Sequence, residues 1–191
     1  MISLCELKRR IRSATPSRSD RQARIRASVI LLIIDPDRSP AILLTERSES
    51  VQHHKKEVSF PGGMQEPGDK DPESTALREL EEETGIPACA VEVIGRLDDV
   101  DTTTGFIVTP IVGLANTSIE LKINVHEIDR CFLIPLSFFD RIQPQKELID
   151  YRGRMLLIEF FPWLDVRIWG ATYRILRQFL DIVGDQGEIA P

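Results

Sequence analysis

The feature that most restricts this chain is an eight-residue run, Ala27-Ser-Val-Ile-Leu-Leu-Ile-Ile34, closed by the turn sequence Asp35-Pro-Asp-Arg-Ser-Pro40. It is the longest apolar stretch of the 191 residues. A bilayer span needs roughly 18 to 20 such residues, so the run has the length of a buried strand and no membrane partner is expected. Ala41-Ile-Leu-Leu-Thr45, beyond the turn, reads as its hairpin partner. With 42% apolar and 28% charged residues, the chain can bury one core and is neither disordered nor fibrous. Cys5, Cys89 and Cys131 lack paired spacing, which argues against a disulfide framework or a thiolate metal site and suits a reducing, cytoplasmic setting.

Helical spacing of Leu4, Leu7 and Ile11 predicts a helix ending near Thr15-Pro16. A short strand through Val58-Ser-Phe60 meets the breaker Pro61-Gly62-Gly63, and a helix begins near Pro72. Thr84-Gly85-Ile86-Pro87 ends that helix with a glycine cap and a proline beyond. Further strands are expected at Val91 to Leu97, Phe106 to Leu114, Ile119 to Ile123, Cys131 to Leu136 and Met155 to Phe160. A last amphipathic helix carries Ile168, Ala171, Ile175, Leu176, Phe179, Leu180 and Val183. Many short strands among few helices predict an α/β (α+β) domain with a mixed sheet rather than a parallel doubly wound one.

The net charge of -6 averages two unlike parts. Residues 1–26 hold eight Lys or Arg against Glu6 and Asp20, a balance of +6 that leaves -12 for the rest. The expected division is a basic helical extension over residues 1–26 and the domain proper over 27–191. The leader is Arg-rich, contains Ser and is poor in acids, which also fits a mitochondrial transit peptide. Nucleic-acid binding has these electrostatics but no reader motif, so no nucleic-acid partner is expected. Removing residues 1–26 should then leave activity intact.

Eight carboxylates crowd residues 66–83, with only Lys70 and Arg78 among them. Such a cluster repels itself unless solvated or neutralised, and a divalent cation is the usual neutraliser. An exposed acidic helix is the plainer account. On the helix of residues 73–84, Glu79, Glu82 and Glu83 stand at i, i+3 and i+4 and so share a face, while Ala76, Leu77 and Leu80 supply an apolar surface. Hard oxygen ligands suit Mg²⁺ or Mn²⁺ shared with substrate phosphates, which points to metal-assisted phosphoryl chemistry.

Arg78-Glu-Leu-Glu-Glu-Glu-Thr-Gly-Ile86 resembles the second half of the Nudix box, which runs Gly, five residues, Glu, seven residues, Arg-Glu, an aliphatic, any residue, Glu-Glu, any residue, Gly, an aliphatic. Counting from Gly63, the acid of the first half is Asp69, and eight residues separate it from Arg78. That Asp and the one-residue insertion resemble the branch that hydrolyses coenzyme A. Leu43-Leu-Thr-Glu-Arg-Ser48 before Ser59-Phe-Pro-Gly-Gly63, Thr103-Thr-Gly-Phe-Ile-Val-Thr-Pro110 and Arg167-Ile-Trp-Gly-Ala-Thr172 are similar to other segments of that branch. The upstream signature departs where the branch has Arg and Gly, since Gln52 and Lys56 stand there.

The resemblance implies a Nudix fold, a mixed sheet sandwiched between helices, and hydrolysis of the coenzyme A diphosphate to 3′,5′-ADP and 4′-phosphopantetheine. ADP-ribose or another nucleoside diphosphate derivative is the alternative substrate, and a binding module without turnover a third reading. It implies Mg²⁺ or Mn²⁺ on Glu79, Glu82 and Glu83, with the Gly63 carbonyl and Asp69 as further ligands. Arg78 would orient the glutamates, and Glu82 or Glu83 could act as base. Gly62 and Gly63 would let backbone approach the phosphates. For the 3′-phosphate, the cationic cluster is Arg47, His53, His54, Lys55 and Lys56, with a solvated loop as the plain alternative. Trp169 and Tyr173 could stack on a base, though helical spacing favours core packing. Asp98-Asp-Val-Asp101 reads as a polar turn, with late site carboxylates as the alternative. A small-molecule nucleotide is the expected partner, and a homodimer is left open.

Overall fold

The computed structural model describes residues 2–21, 24–35, 38–48, 57–116, 120–151 and 153–184. Helix α1 (Leu4–Ser13) precedes β1 (Ile25–Ile34) and β2 (Ala41–Arg47). Two short strands, β3 (Val58–Ser59) and β4 (Gly62–Met64), lead to α2 (Pro72–Thr84). Strands β5 (Val91–Arg96), β6 (Val100–Asp101), β7 (Phe106–Ala115) and β8 (Ile128–Pro135) follow. The chain ends with α3 (Leu136–Phe139), β9 (Gln145–Tyr151), β10 (Arg154–Trp163), β11 (Val166–Trp169) and α4 (Gly170–Val183).

Strand β1 is the spine, paired in parallel with β7 over its full ten residues and antiparallel with β2 and β4. Its side chains alternate between two cores. Ile30, Leu32 and Ile34 pack with Ala76, Leu80 and Ile86 beneath α2, while Leu31 and Ile33 pack with Leu7, Ile11, Ile175 and Phe179 of α1 and α4. From Ile30 to Ile34 both faces are buried and the strand carries no polar side chain, as its sequence predicts. The sheet is mixed and lies between helices, as expected.

Beyond Ile33 and Ile34, which face Ile42 and Ala41, the two central strands diverge. The gap is filled by residues 58–64: β3 pairs with β2, and β4 lies against β1 with Val29 opposite Gly62 and Ser28 opposite Gly63. The breaker Pro61-Gly62-Gly63 is thus itself partly a strand, with Ile30 N donating to Pro61 O at 2.8 Å. Two differences from the sequence reading are physical. Residues 120–123 form no strand, because their backbone serves α2: Lys122 N donates to Thr84 O (2.8 Å) and Asn124 N to Glu83 O (3.0 Å), satisfying carbonyls at the helix end. Strands β9 and β11 carry mixed polar and apolar residues with little pattern, and they pair with β10 in a separate three-stranded sheet.

The basic leader joins the fold. Leu7 and Ile11 are buried in the core shared with α4. Lys8 and Arg12 reach Glu92, Arg10 donates to the Val183 and Gly184 carbonyls, and Ser17 N and Ser19 N donate to Asp98 and Asp99. Its charge faces acidic residues of the body, and its removal would uncover the part of the core that Leu7 and Ile11 cover. No helix among the described residues is long and apolar enough to cross a membrane.

Ile11→Ala should lower unfolding free energy in urea by about 2–4 kcal/mol, the usual cost of a buried aliphatic truncation. A leader lying free of the core would give a change within about 0.5 kcal/mol.

Candidate active site

Helix α2 is fixed at both ends. Asp71 and Ser74 form a reciprocal capping box at its start, and Gly85, in the left-handed conformation, closes it with its N–H on Glu81 O at 2.9 Å. With Ala76 and Leu80 turned into the core, the helix carries Glu79 and Glu83 on the flank facing β4. There the glycines matter. A Cβ on Gly63 would overlap the Glu79 carboxylate, and one on Gly62 would strike Ser28 O and Val29. Only bare backbone lets helix and strand approach so closely.

Arg78 organises the outer edge of this arrangement. Its Nε and Nη2 donate to Asp69 at 3.1 and 3.0 Å, its Nη1 to Glu79 (3.0 Å) and Glu82 (3.1 Å), and Nη2 also to Met64 O (3.2 Å). Asp69 further accepts from Thr75 Oγ1 and Glu66 N, and Arg78 holds its carboxyl well below the usual carboxylate range. Asp69 is therefore fully engaged in orienting Arg78, away from Glu83. Glu82 lies on the solvent side, its side chain 54% exposed. The three helix glutamates do not converge equally: Glu79 and Glu83 turn inward, Glu82 stays at the rim. Among the described residues no three acidic, His or Cys side chains already meet around one point.

Glu83 is the most constrained of them, at 2% exposure. Its Oε2 is buried with no hydrogen-bond partner among the described residues. Burial pushes its carboxyl up to about 8, with Glu79 and Glu127 adding to the effect while the Arg47 charge and the Gly62 N–H oppose it. Glu79 is raised by burial too, against the pull of Arg78. Arg47, at the end of β2, has a buried Nε that is also without a partner among the described residues. The Cys131 thiol nearby is pushed up to about 11, chiefly by burial.

Glu127 escaped the sequence reading. It sits in the turn after the segment docked on α2, with Ser48 N donating to its carbonyl (2.8 Å) and Asn124 Nδ2 to its Oε1 (3.2 Å). No spacing in the sequence relates it to the helix; only the docking of residues 120–124 brings its charge to Glu79 and Glu83. Lys55 and Lys56, with Gln52, His53 and His54, lie outside the described residues. Asp98 and Asp99 serve the polar turn, where Asp99 also accepts from Arg96 and Thr109.

A cleft of about 810 Å³ opens beside Gly62, Gly63 and Glu79. Arg47 lines its carboxylate end, and Phe60, Phe106, Leu156 and Ile158 make the rest largely apolar. Trp169 closes β11 rather than lying on α4, and it meets Tyr151 edge to face at 5.4 Å; both rings, with Tyr173, line this cleft. A buried carboxyl with one oxygen unpartnered among the described residues, beside a second carboxylate that lines a cleft sized for a nucleotide derivative, is a setting for a divalent cation.

Comparison with known proteins bears on the family and the fold. The NUDIX domain model matches residues 24–179. A protein of Photorhabdus laumondii described as uncharacterized Nudix hydrolase NudL is 36% identical over 180 residues, covering 93% of this chain and 96% of that protein. The corresponding Yersinia enterocolitica protein is 40% identical over 153 residues, 80% of this chain and 77% of its own. In structure, a MutT/nudix family protein from Enterococcus faecalis superposes with a TM-score of 0.51 at 15% identity, covering 96% of this chain and 75% of that one. A C. elegans Ap4A hydrolase gives 0.50 at 18%, covering 58% and 80%. At those identities the structures speak for the fold alone, whereas the matched domain and the two relatives establish the family: this chain belongs to the NUDIX domain family.

Proposed function

We propose that the protein is a metal-dependent diphosphatase that hydrolyses coenzyme A or its derivatives to 3′,5′-ADP and 4′-phosphopantetheine. The observation that carries the metal-dependent chemistry is the buried, unpartnered Oε2 of Glu83 beside Glu79 and Glu127. A carboxylate held there gains more from a cation than from any neighbour it has. Glu79 and Glu83 would hold Mg²⁺ or Mn²⁺, with the Gly63 carbonyl and Glu82 at its edge. The cation would make a hydroxide-like water available at neutral pH and offset charge on the diphosphate. Arg78 keeps Glu79 in place through charge-assisted bonds, and Asp69 keeps Arg78 in place. Glu127, close enough to raise both inner glutamates, joins Glu82 and Glu83 as a candidate to take the proton from the attacking water.

Support for coenzyme A over other diphosphates comes from the Asp69 and eight-residue spacing together with the cleft. A mostly apolar wall running from Phe60 to Leu156 and Trp169 suits a pantetheine arm or a stacked base better than a second charged nucleotide.

Purified protein with Mg²⁺ or Mn²⁺, offered coenzyme A, ADP-ribose, NADH and dinucleoside polyphosphates, should prefer coenzyme A and release the two named products by mass spectrometry; preference for another member of the panel overturns the substrate assignment. Glu79→Gln and Glu83→Gln should each lower kcat by about 10²–10³, and Asp69→Asn, acting through Arg78, by about tenfold. Stability carries an independent signature. Between the ordinary glutamate value of 4.5 and about 8, the folded chain keeps a proton on Glu83 that the unfolded chain has lost, so metal-free stability falls as pH rises through that window. Urea unfolding with EDTA near pH 5 and near pH 8 should show this fall, Glu83→Gln should flatten it, and Mg²⁺ or Mn²⁺ at the higher pH should restore wild-type stability more than that of the variant.

A further inference from the structure

Strand β9 is the outermost strand of the three-stranded sheet, and its far edge pairs with no other strand among the described residues. The register with β10 puts Lys146, Leu148 and Asp150 on one face, opposite Glu159, Leu157 and Met155. At the outer end of that face, Leu148, Met155 and Leu157 are 58%, 63% and 63% exposed. A seven-residue edge flanked by exposed leucines is a template for another strand unless something covers it.

The strand is complementary to itself. Leu148 is its midpoint, so two copies of Gln145–Tyr151 laid antiparallel about a two-fold axis through Leu148 overlap along their whole length. In that register Lys146 of each copy stands opposite Asp150 of the other, the two leucines meet on the axis, and Glu147 faces Ile149. A slip by two residues would set one charge of each copy against a leucine and leave the other opposite a position outside the strand. Lys146 already holds Glu159 at 2.9 Å and, as an ammonium with three donors, can accept a second carboxylate. Per copy the three apolar side chains offer on the order of 350 Å². That forms the centre of an interface which the strand edge and flanking residues extend toward the roughly 800 Å² each partner contributes to a stable complex.

We propose that a second copy of this chain is the occupant: β9 pairs with β9 across a two-fold axis at Leu148, joining two three-stranded sheets into one of six. Leu157 and Glu159 also line the cleft mouth, so the partner's strand would lie beside the apolar end of each site.

Light scattering and sedimentation of the full chain at about 1–100 µM should give the mass of two copies, in the range where interfaces of this size hold. Leu148→Lys, an exposed position that sets like charges on the axis, should raise the dimer dissociation constant at least 100-fold without shifting the thermal unfolding of the monomer. Lys146→Glu and Asp150→Lys should each weaken self-association, and an equimolar mixture of these two variants should recover the dimer, because both cross-pairs then join opposite charges. A monomeric wild type, a dimer untouched by Leu148→Lys, or a mixture that fails to recover would each overturn the proposal. The mixture decides even if Leu148→Lys folds poorly.

Discussion

The volume a side chain would occupy at position 63 is filled by the carboxylate of Glu79, and the volume at position 62 by backbone of β1. That close approach exists because β1 and β2 pair at one end and diverge at the other, leaving a slot that β4 fills with bare glycine backbone. With β4 in the slot, α2 can lie low enough on the sheet for Leu80 to seal the core and Glu83 to sink beside it. The cleft opens where the slot ends. A larger residue at either glycine would lift the helix, and the carboxylates with it, off the sheet.

The same helix treats its carboxylates in two ways. On the outside, Arg78 binds Asp69, Glu79 and Glu82 together, so the repulsion of the acidic segment is balanced by one guanidinium whose own position is fixed by Asp69 and the Met64 carbonyl. On the inside, Glu83 has a carboxylate oxygen with no bonded partner among the described residues, while the neighbouring charges are two carboxylates and Arg47. Burying a polar atom without a bonded partner is costly, and proteins seldom keep such a group without a use for it. The asymmetry separates structural acids from the candidate metal-holding ones more sharply than their common presence in one motif does.

Much of this was legible beforehand. The run at 27–34 announced a buried strand, Pro72 and Gly85 bracketed α2, and the spacing of Glu79 and Glu83 put them on one flank; all three are local patterns, and local geometry obeys them. Glu82, which i+3 places within reach of its neighbours, lies at the rim beside Arg78. Glu127 could not be read at all, because its approach depends on residues 120–124 binding the last carbonyls of α2 instead of forming the strand their composition suggests. Edge strands β9 and β11 were missed for a related reason: a strand with one free edge and a wet face need not alternate.

The split charge of the chain finds its meaning in the walls of the cleft. Arg24, in the basic leader, donates to the Thr102 carbonyl at 2.5 Å, and Arg174 of α4 donates to the adjacent Asp101 carbonyl at 2.7 Å. Thr102, Thr103 and Thr104 line the cleft opposite the β9–β10 hairpin. One wall is thus clamped by cations from the two ends of the chain, and Ser17 and Ser19 tie the leader to the aspartates just before it. The leader's +6 is therefore a counterweight to an acidic body and a brace for one side of the cleft. The other side stands on a three-stranded sheet whose apolar tip lies in solvent within a single copy, so the clamped wall is the better defined of the two until something covers that tip.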